Sequence, residues 1–183
     1  MPVASVEDLR GARRVLVYGV TGSGKTTVAD LLGAALDLPS HHVDDEIGWL
    51  PGWVERPADD QRRLATEMAS GESWVIDSAY GKWRDVVTAR TQVVVALDYP
   101  RAVSLGRLLR RTLTRLVTQE PMCNGNRESL AQVFSRKSII AWHFQSFTRK
   151  HESIVALESA ADGPPVVRLR RPSDLDRLLA GLT

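Results

Sequence analysis

The segment Gly19-Val20-Thr21-Gly22-Ser23-Gly24-Lys25-Thr26 restricts this chain more than any other. It satisfies the pattern G-x-x-x-x-G-K-[ST] at every required position. The surroundings agree. Arg14-Val15-Leu16-Val17-Tyr18 before it reads as a buried strand, and the residues after Thr26 carry Val28, Leu31, Leu32, Ala35 and Leu36 at helical spacing. A strand, a glycine-rich turn and a helix let backbone N–H groups curl around a phosphate, with the helix N-terminus adding partial positive charge. Gly19, Thr21, Gly22, Ser23, Gly24, Lys25, Thr26 and Thr27 are therefore the expected ATP-binding residues. Lys25 is placed to reach the β- and γ-phosphates, and the Thr26 hydroxyl is placed to ligate Mg²⁺. The motif leaves open what happens to the triphosphate.

A length of 183 residues favours one domain spanning 1–183, with a sizeable core. A formal charge of +2 gives no support for nucleic acid as a direct ligand. The single cysteine, Cys123, allows no intrachain disulfide, which fits a reducing cytoplasm. Residues 1–14 have no long apolar run of the kind a signal peptide needs, and no stretch is apolar enough to span a bilayer.

Ser5-Val6-Glu7-Asp8 has the form of a capping box opening a short helix. His41 to Asp45 reads as a short strand ending in two acids. The following loop holds Trp49 and Trp53, either as anchors beneath the loop or as an aromatic wall for an acceptor. Ala58 to Ser70 is an expected helix, Trp74 to Asp77 a strand, Gly81 to Arg90 a helix and Gln92 to Asp98 the strongest strand. Pro100 opens a helix to about Val117, with Val103, Leu105, Leu108, Leu109, Leu113 and Leu116 as its apolar positions. Its Arg107, Arg111 and Arg115 lie along one face, which is either solvated or turned to phosphate. Residues 118–128 read as a lid loop carrying Arg127, followed by a second long helix from Ser129 to Lys150, broken near Ser138. Val166 to Leu169 is the last strand, and Ser173 the expected cap of a final helix from Asp174 to Leu182. Alternation of strand and helix predicts a three-layer α/β fold around a parallel sheet. Asp45, Asp77 and Asp98 all fall at carboxyl ends of strands, the edge where such sheets bind ligands.

No guanine-reading N-K-x-D sequence occurs, which argues against a GTPase. A small-molecule kinase requires Mg²⁺ on the loop Thr and a strand-end acid, an in-line acceptor, and arginines that close over the transferred charge. Thr26 and Asp77 are the expected metal residues. Asp44 or Asp45 addresses the acceptor, with Asp45 the leading catalytic and acceptor-binding candidate, either accepting a hydrogen bond from the acceptor hydroxyl or holding Mg²⁺-bound water. Trp49 and Trp53 serve the acceptor set, and Arg107, Arg111, Arg115 and Arg127, on or around the lid, are candidate clamps. Asp98, ahead of Tyr99-Pro100, is expected to cap the helix that follows. His41, His42, His143 and His151 show no metal-ligand spacing and read as structural or surface residues.

The phosphate loop, Trp49-Leu50-Pro51-Gly52-Trp53-Val54, Trp74-Val75-Ile76-Asp77, Arg84, Leu97-Asp98-Tyr99-Pro100-Arg101, Asn124-Gly125-Asn126-Arg127-Glu128-Ser129, Phe134-Ser135-Arg136 and Trp142 together resemble the bacterial adenylate-kinase-related P-loop proteins labelled DNA topology modulation proteins (FlaR-like). That resemblance implies a nucleoside-monophosphate-kinase-type fold with a five-stranded parallel core and a helical lid. It also implies Asp77 near Mg²⁺, with Arg127 and Arg136 as lid or substrate contacts; with the resemblance, Arg84 joins the acceptor set, and Arg84, Arg111, Arg127 and Arg136 become the candidate clamps. The chain departs from it at Asp77-Ser78-Ala79-Tyr80, where Asp-Gly-Asn-Tyr is common. The expectation is an ATP phosphotransferase acting on a small acceptor. The alternative is a nucleotide-binding regulator with little turnover that affects DNA topology, supported by the arginine-rich helix and a pI of about 8.9.

Overall fold

The computed structural model describes residues 5–129, 133 and 138–182. Strand β1 (Arg14–Gly19) lies at the centre of a five-stranded parallel sheet. It is flanked on one side by β5 (Trp74–Ile76) and then β2 (Ser40–His41), and on the other by β6 (Val93–Leu97) and then β7 (Val166–Leu169). Val15 sits opposite Val75 on one neighbour and Val93 on the other. A separate antiparallel hairpin joins β3 (Trp49–Leu50) to β4 (Val54–Glu55). The expected five-stranded parallel core is present.

The central strands β1, β5 and β6 are almost wholly apolar, and their side chains sort by the two-residue period of extended chain. Val15, Val17, Val93, Val95 and Leu97 join Leu9, Val28, Leu32 and Leu178 in one core. That face is covered by α1 (Val6–Arg10), α2 (Lys25–Leu36) and α7 (Pro172–Leu182). Leu16, Tyr18, Ile76, Val94 and Ala96 join Ala65, Trp83, Val87 and Ile154 in the other. There the cover is α3 (Ala58–Ser70), α4 (Arg84–Thr88) and α6 (Ile139–Ser159). Helix α5 (Arg101–Thr118) runs behind the phosphate loop. Among the described residues no helix is long and apolar enough to cross a membrane.

The sequence expectations need adjusting in several places. Ser5 and Asp8 do form the reciprocal capping box. The strand at His41 ends there, because the His42 carbonyl takes the N–H groups of both Asp45 and Glu46 and turns the chain. Asp44 and Asp45 therefore sit on a π-helical turn, Asp44–Gly48. Helix α4 is shorter than Gly81–Arg90. On α5 the inward stripe is Ser104, Leu108 and Thr112, and Leu109 and Leu113 are exposed. Helix α6 starts after Ser138, whose hydroxyl accepts the Ala141 N–H, and continues past Lys150 to Ser159. Its inward positions are His143, Ser146 and Ile154, and Phe144 is exposed. Helix α7 starts at Pro172, ahead of Ser173, and Asp174 accepts the N–H groups of Arg170 and Arg171. Phe134, Ser135 and Arg136 lie outside the described residues.

Candidate functional site

The phosphate loop crosses from the carboxyl end of β1 to the first turn of α2. Gly22 and Gly24 both adopt left-handed backbone, with φ of +78° and +95°. At Gly22 space is limiting as well, since a Cβ there would stand 2.4 Å from the Ser104 carbonyl oxygen of α5. The Lys25 ammonium bends back to the Val20 carbonyl at 3.2 Å, across the concave side of the loop. Burial, and the nearby positive charge of Lys150, lower the Lys25 pKa to about 8. Its charge lacks a full counter-charge, which is the condition an anionic ligand relieves.

Thr26 and Asp77 meet at the ends of β1 and β5. The Thr26 hydroxyl donates to Asp77 Oδ2 at 2.6 Å, and the Val43 N–H donates to Oδ1 at 2.9 Å. Burial pushes the Asp77 carboxyl above the usual carboxylate range, against the pull of Thr26, Val43 and Lys25. A hydroxyl beside a carboxylate is the oxygen donor set that Mg²⁺ uses when phosphates and water supply its remaining ligands. These two residues fit the ion. Among the described residues no three His, Cys, Asp or Glu side chains gather as a closed metal site.

Of the two acids on the π-helical turn, Asp44 is the one that enters the cluster. It accepts a hydrogen bond from the Tyr80 hydroxyl, and its charge acts on Lys25, Asp77 and Arg111. Burial first, then Asp44, hold the Tyr80 phenol far above its ordinary pKa, so it stays a donor. Asp45 is exposed, as Asp44 is, but its carboxylate makes no hydrogen bond among the described residues, and its backbone carbonyl accepts from Asn124. The Asp45 charge acts on His42 and Cys123, and no hydrogen bond among the described residues ties its carboxylate to the phosphate loop. Asp98 does not cap α5 either. Its carboxylate binds the Arg168 guanidinium through Nε and Nη2 at 2.9 and 2.6 Å and takes the His151 ring at 2.9 Å.

Of the arginine row on α5, Arg107 reaches the phosphate loop, whereas Arg115 turns to the Met122 sulfur at 3.2 Å. Arg107 donates to the Ser23 carbonyl at 2.9 Å and lies 5.3 Å from the Tyr99 ring. Arg111 is half-buried, with its Nε unpartnered. Burial and Arg115 lower its pKa, against Glu128 and Asp44. Arg107, Arg110, Arg111, Thr114, Arg115 and Glu120 line an open depression of about 280 Å³. On the other side of β1, Arg84 donates to the Tyr18 hydroxyl at 3.1 Å.

The tryptophans fasten two loops together. Trp49 and Trp53 meet edge to face at 5.7 Å. The Trp53 backbone N–H donates to Asn126 Oδ1 and its indole N–H donates to the Arg127 carbonyl. Asn126 and Asn124 return bonds to the carbonyls of Leu50 and Trp49. Trp53 is therefore an anchor. Arg127 contributes its carbonyl, and its guanidinium makes no hydrogen bond among the described residues.

Two residues that sequence reasoning passed over belong to this site, Tyr18 and Lys150, and Asp44, which the sequence offers beside Asp45, joins them. The Lys150 ammonium lies 4.1 Å from the centre of the Tyr18 ring. A signal existed for it. Lys150 continues the inward stripe of α6 through His143, Ser146 and Ile154, where an apolar residue is the rule.

No family model matches this chain, and no curated protein matches it. Solved structures with the same fold include a shikimate kinase from Acinetobacter baumannii in complex with shikimate, at 17% identity over 96% of this chain and 94% of that one, with a TM-score of 0.58. A sugar kinase from Janibacter sp. HTCC2649 is 22% identical over 93% and 94%, at 0.53. A gluconokinase from Sinorhizobium meliloti 1021 is 17% identical over 92% and 90%, at 0.51. At these identities the likeness concerns the fold.

Proposed function

We propose that this chain is a Mg²⁺-dependent phosphotransferase that moves the γ-phosphoryl group of ATP to a hydroxyl of a small acceptor. The observation that carries it is the meeting of the phosphate-loop Lys25 with the Thr26–Asp77 pair, Asp44 and Arg111 at one edge of the sheet. The likeness to sugar and shikimate kinases supports the same class, as does the resemblance to FlaR-like adenylate-kinase relatives. The bond from Arg107 to the phosphate loop, with half-buried Arg111 beside it, favours it over a regulator that uses α5 as an outer contact surface.

The loop amides and Lys25 bind the β- and γ-phosphates, and Arg107 and Arg111 face the charge that spreads over the transferred group. Thr26 and Asp77 would hold Mg²⁺, which when bound neutralises phosphate charge. The acceptor oxygen forms a bond to the γ-phosphorus as the bond to the β,γ-bridging oxygen breaks, and ADP leaves. The hydroxyl proton passes to a carboxylate, for which Asp44 replaces Asp45 as the candidate because it is the acid nearest in charge to Lys25. The hairpin latched to the 118–128 loop screens the acceptor from water.

The test is ADP formation from ATP and Mg²⁺ over a panel of sugars, hydroxy acids and nucleoside monophosphates. Acceptor-stimulated ADP release is expected, and Lys25→Ala should abolish it. Absence of stimulation by every acceptor, with nucleotide still bound, overturns the proposal.

A further inference from the structure

Two cations on the α4 and α6 face of β1 have no carboxylate partner among the described residues. Tyr18 immediately precedes the phosphate loop and points to the face covered by α4 and α6, away from α2. Its hydroxyl accepts from Arg84, the first residue of α4, at 3.1 Å. Its ring carries the Lys150 ammonium of α6 at 4.1 Å. Neither Arg84 nor Lys150 forms an ion pair among the described residues, although both are half-buried. The acids of the site, Asp44 and Asp77, bond to Tyr80 and to Thr26 with Val43, and neither pairs with Arg84 or Lys150.

Keeping two like charges partly out of water without a counter-ion is unfavourable. Lys150 makes this sharper, because its position on the inward stripe of α6 suits an apolar side chain and its charge also opposes that of Lys25. The arrangement is held firmly. The next residue, His151, is tied to Asp98, which Arg168 ties to β7. The two cations also hold the Tyr18 phenol below its ordinary pKa despite burial that would raise it.

We propose that Arg84 and Lys150, bracketing Tyr18, form an anion subsite beside the phosphate loop, so that the acceptor carries a carboxylate or phosphate group in addition to the hydroxyl that is phosphorylated. The proposal rests on the kinase reading above and narrows its substrate class to hydroxy acids and monophosphate esters. The anion pairs with both cations while the acceptor hydroxyl faces Asp44 and the γ-phosphate. Lys150 is a specificity-determining residue in this scheme, and Tyr18 positions it.

Two measurements test this. The first compares matched acceptors as ADP release: a neutral polyol, the corresponding hydroxy acid and the corresponding monophosphate. Stimulation by a charged member alone is expected, by acids for a carboxylate group or by esters for a phosphate. Lys150→Met should raise the KM for that acceptor by about 10- to 100-fold, the scale of one charge-assisted contact. The KM for ATP should not rise, since removing Lys150 only relieves the charge that opposes Lys25, and Lys150→Arg should restore the acceptor KM. Equal use of the neutral polyol, or an unchanged acceptor KM in Lys150→Met, overturns the subsite. The second measurement needs no turnover. Inorganic phosphate is titrated against the melting temperature of Lys25→Ala, which removes the main cation of the nucleotide side. Stabilisation that persists there and disappears in the Lys25→Ala/Lys150→Met double variant supports the subsite even if no acceptor is ever phosphorylated. Stabilisation that survives in the double variant overturns it.

Discussion

The Thr26 hydroxyl and the Asp77 carboxylate, 51 residues apart in the chain, share a hydrogen bond of 2.6 Å at the junction of β1 and β5. The contact joins the phosphate loop to the neighbouring strand through two oxygen donors in the form that binds a hard divalent cation. It also holds a carboxylate where burial disfavours its charge. Such a residue is kept at some cost in stability.

Asp77→Asn separates the two roles. The amide oxygen still accepts the Val43 N–H and the unfavourable charge is gone, so stability should stay within about 1 kcal/mol of the parent or rise. Transfer should fall by about 100-fold or more, because the cation-binding oxygen is lost. Thermal melting and ADP release on the same samples check both.

Lys25 gives a pH signature. Its pKa is about 8 when folded, against an ordinary 10.5. Between those values the unfolded chain holds the proton and the folded one has released it, so stability of the ligand-free protein should rise with pH from about 8 to 10.5. Below 8 the penalty is fully present. The total is up to about 3 kcal/mol, and Lys25→Met should remove the slope. Bound triphosphate restores the ammonium, so binding at pH 9 should take up protons, measured by calorimetry in buffers of different ionisation heat.

Gly22→Ala should damage the loop by two routes, the left-handed backbone and the contact with Ser104. A loss of about 2–3 kcal/mol is expected, or about 5–10 °C in Tm for a chain of this size, together with nucleotide affinity.

Asp98→Ala should behave oppositely to Asp77→Asn. It leaves Arg168, whose side chain is 13% exposed, with Glu158 alone. Stability should fall by about 2–3 kcal/mol, while turnover per folded molecule changes little. Chemical denaturation and kcat are the readouts.

Asn126→Ala removes the acceptor of the Trp53 N–H and the donor to Leu50. The hairpin and the 118–128 loop should separate more readily. Faster proteolytic cleavage within 118–128 and a higher acceptor KM are expected, with ATP affinity unchanged.

Much of the architecture was legible in the chain. The phosphate loop, the continuous apolar strand at Val93–Leu97 and the acid at Asp77 depend on local pattern, and all three sit where that pattern puts them. Legibility failed where partners come from distant segments. Asp98 looks like a helix cap until Arg168 and His151 arrive from elsewhere. Nothing local tells Asp44 from Asp45, because the π-helical turn, closed by two N–H groups on one carbonyl, decides which carboxylate faces Lys25. On α5, Leu109 and Leu113 have the spacing of inward residues yet are exposed, because the buried stripe runs through Ser104 and Thr112, and on α6 it runs through His143 and Ser146. Ser104 and His143 satisfy each other across the helix pair at 2.9 Å, so polarity there is no guide to exposure.

The fastening between the hairpin and the 118–128 loop has a consequence for how such a protein can change. Asn124 and Asn126 grip it through main-chain groups of Asp45, Trp49, Leu50 and Trp53. Main-chain groups are common to every residue except proline at the donor. Side chains along this rim can therefore be exchanged over generations, altering which molecule is welcomed, while the two asparagines go on closing the door in the same way.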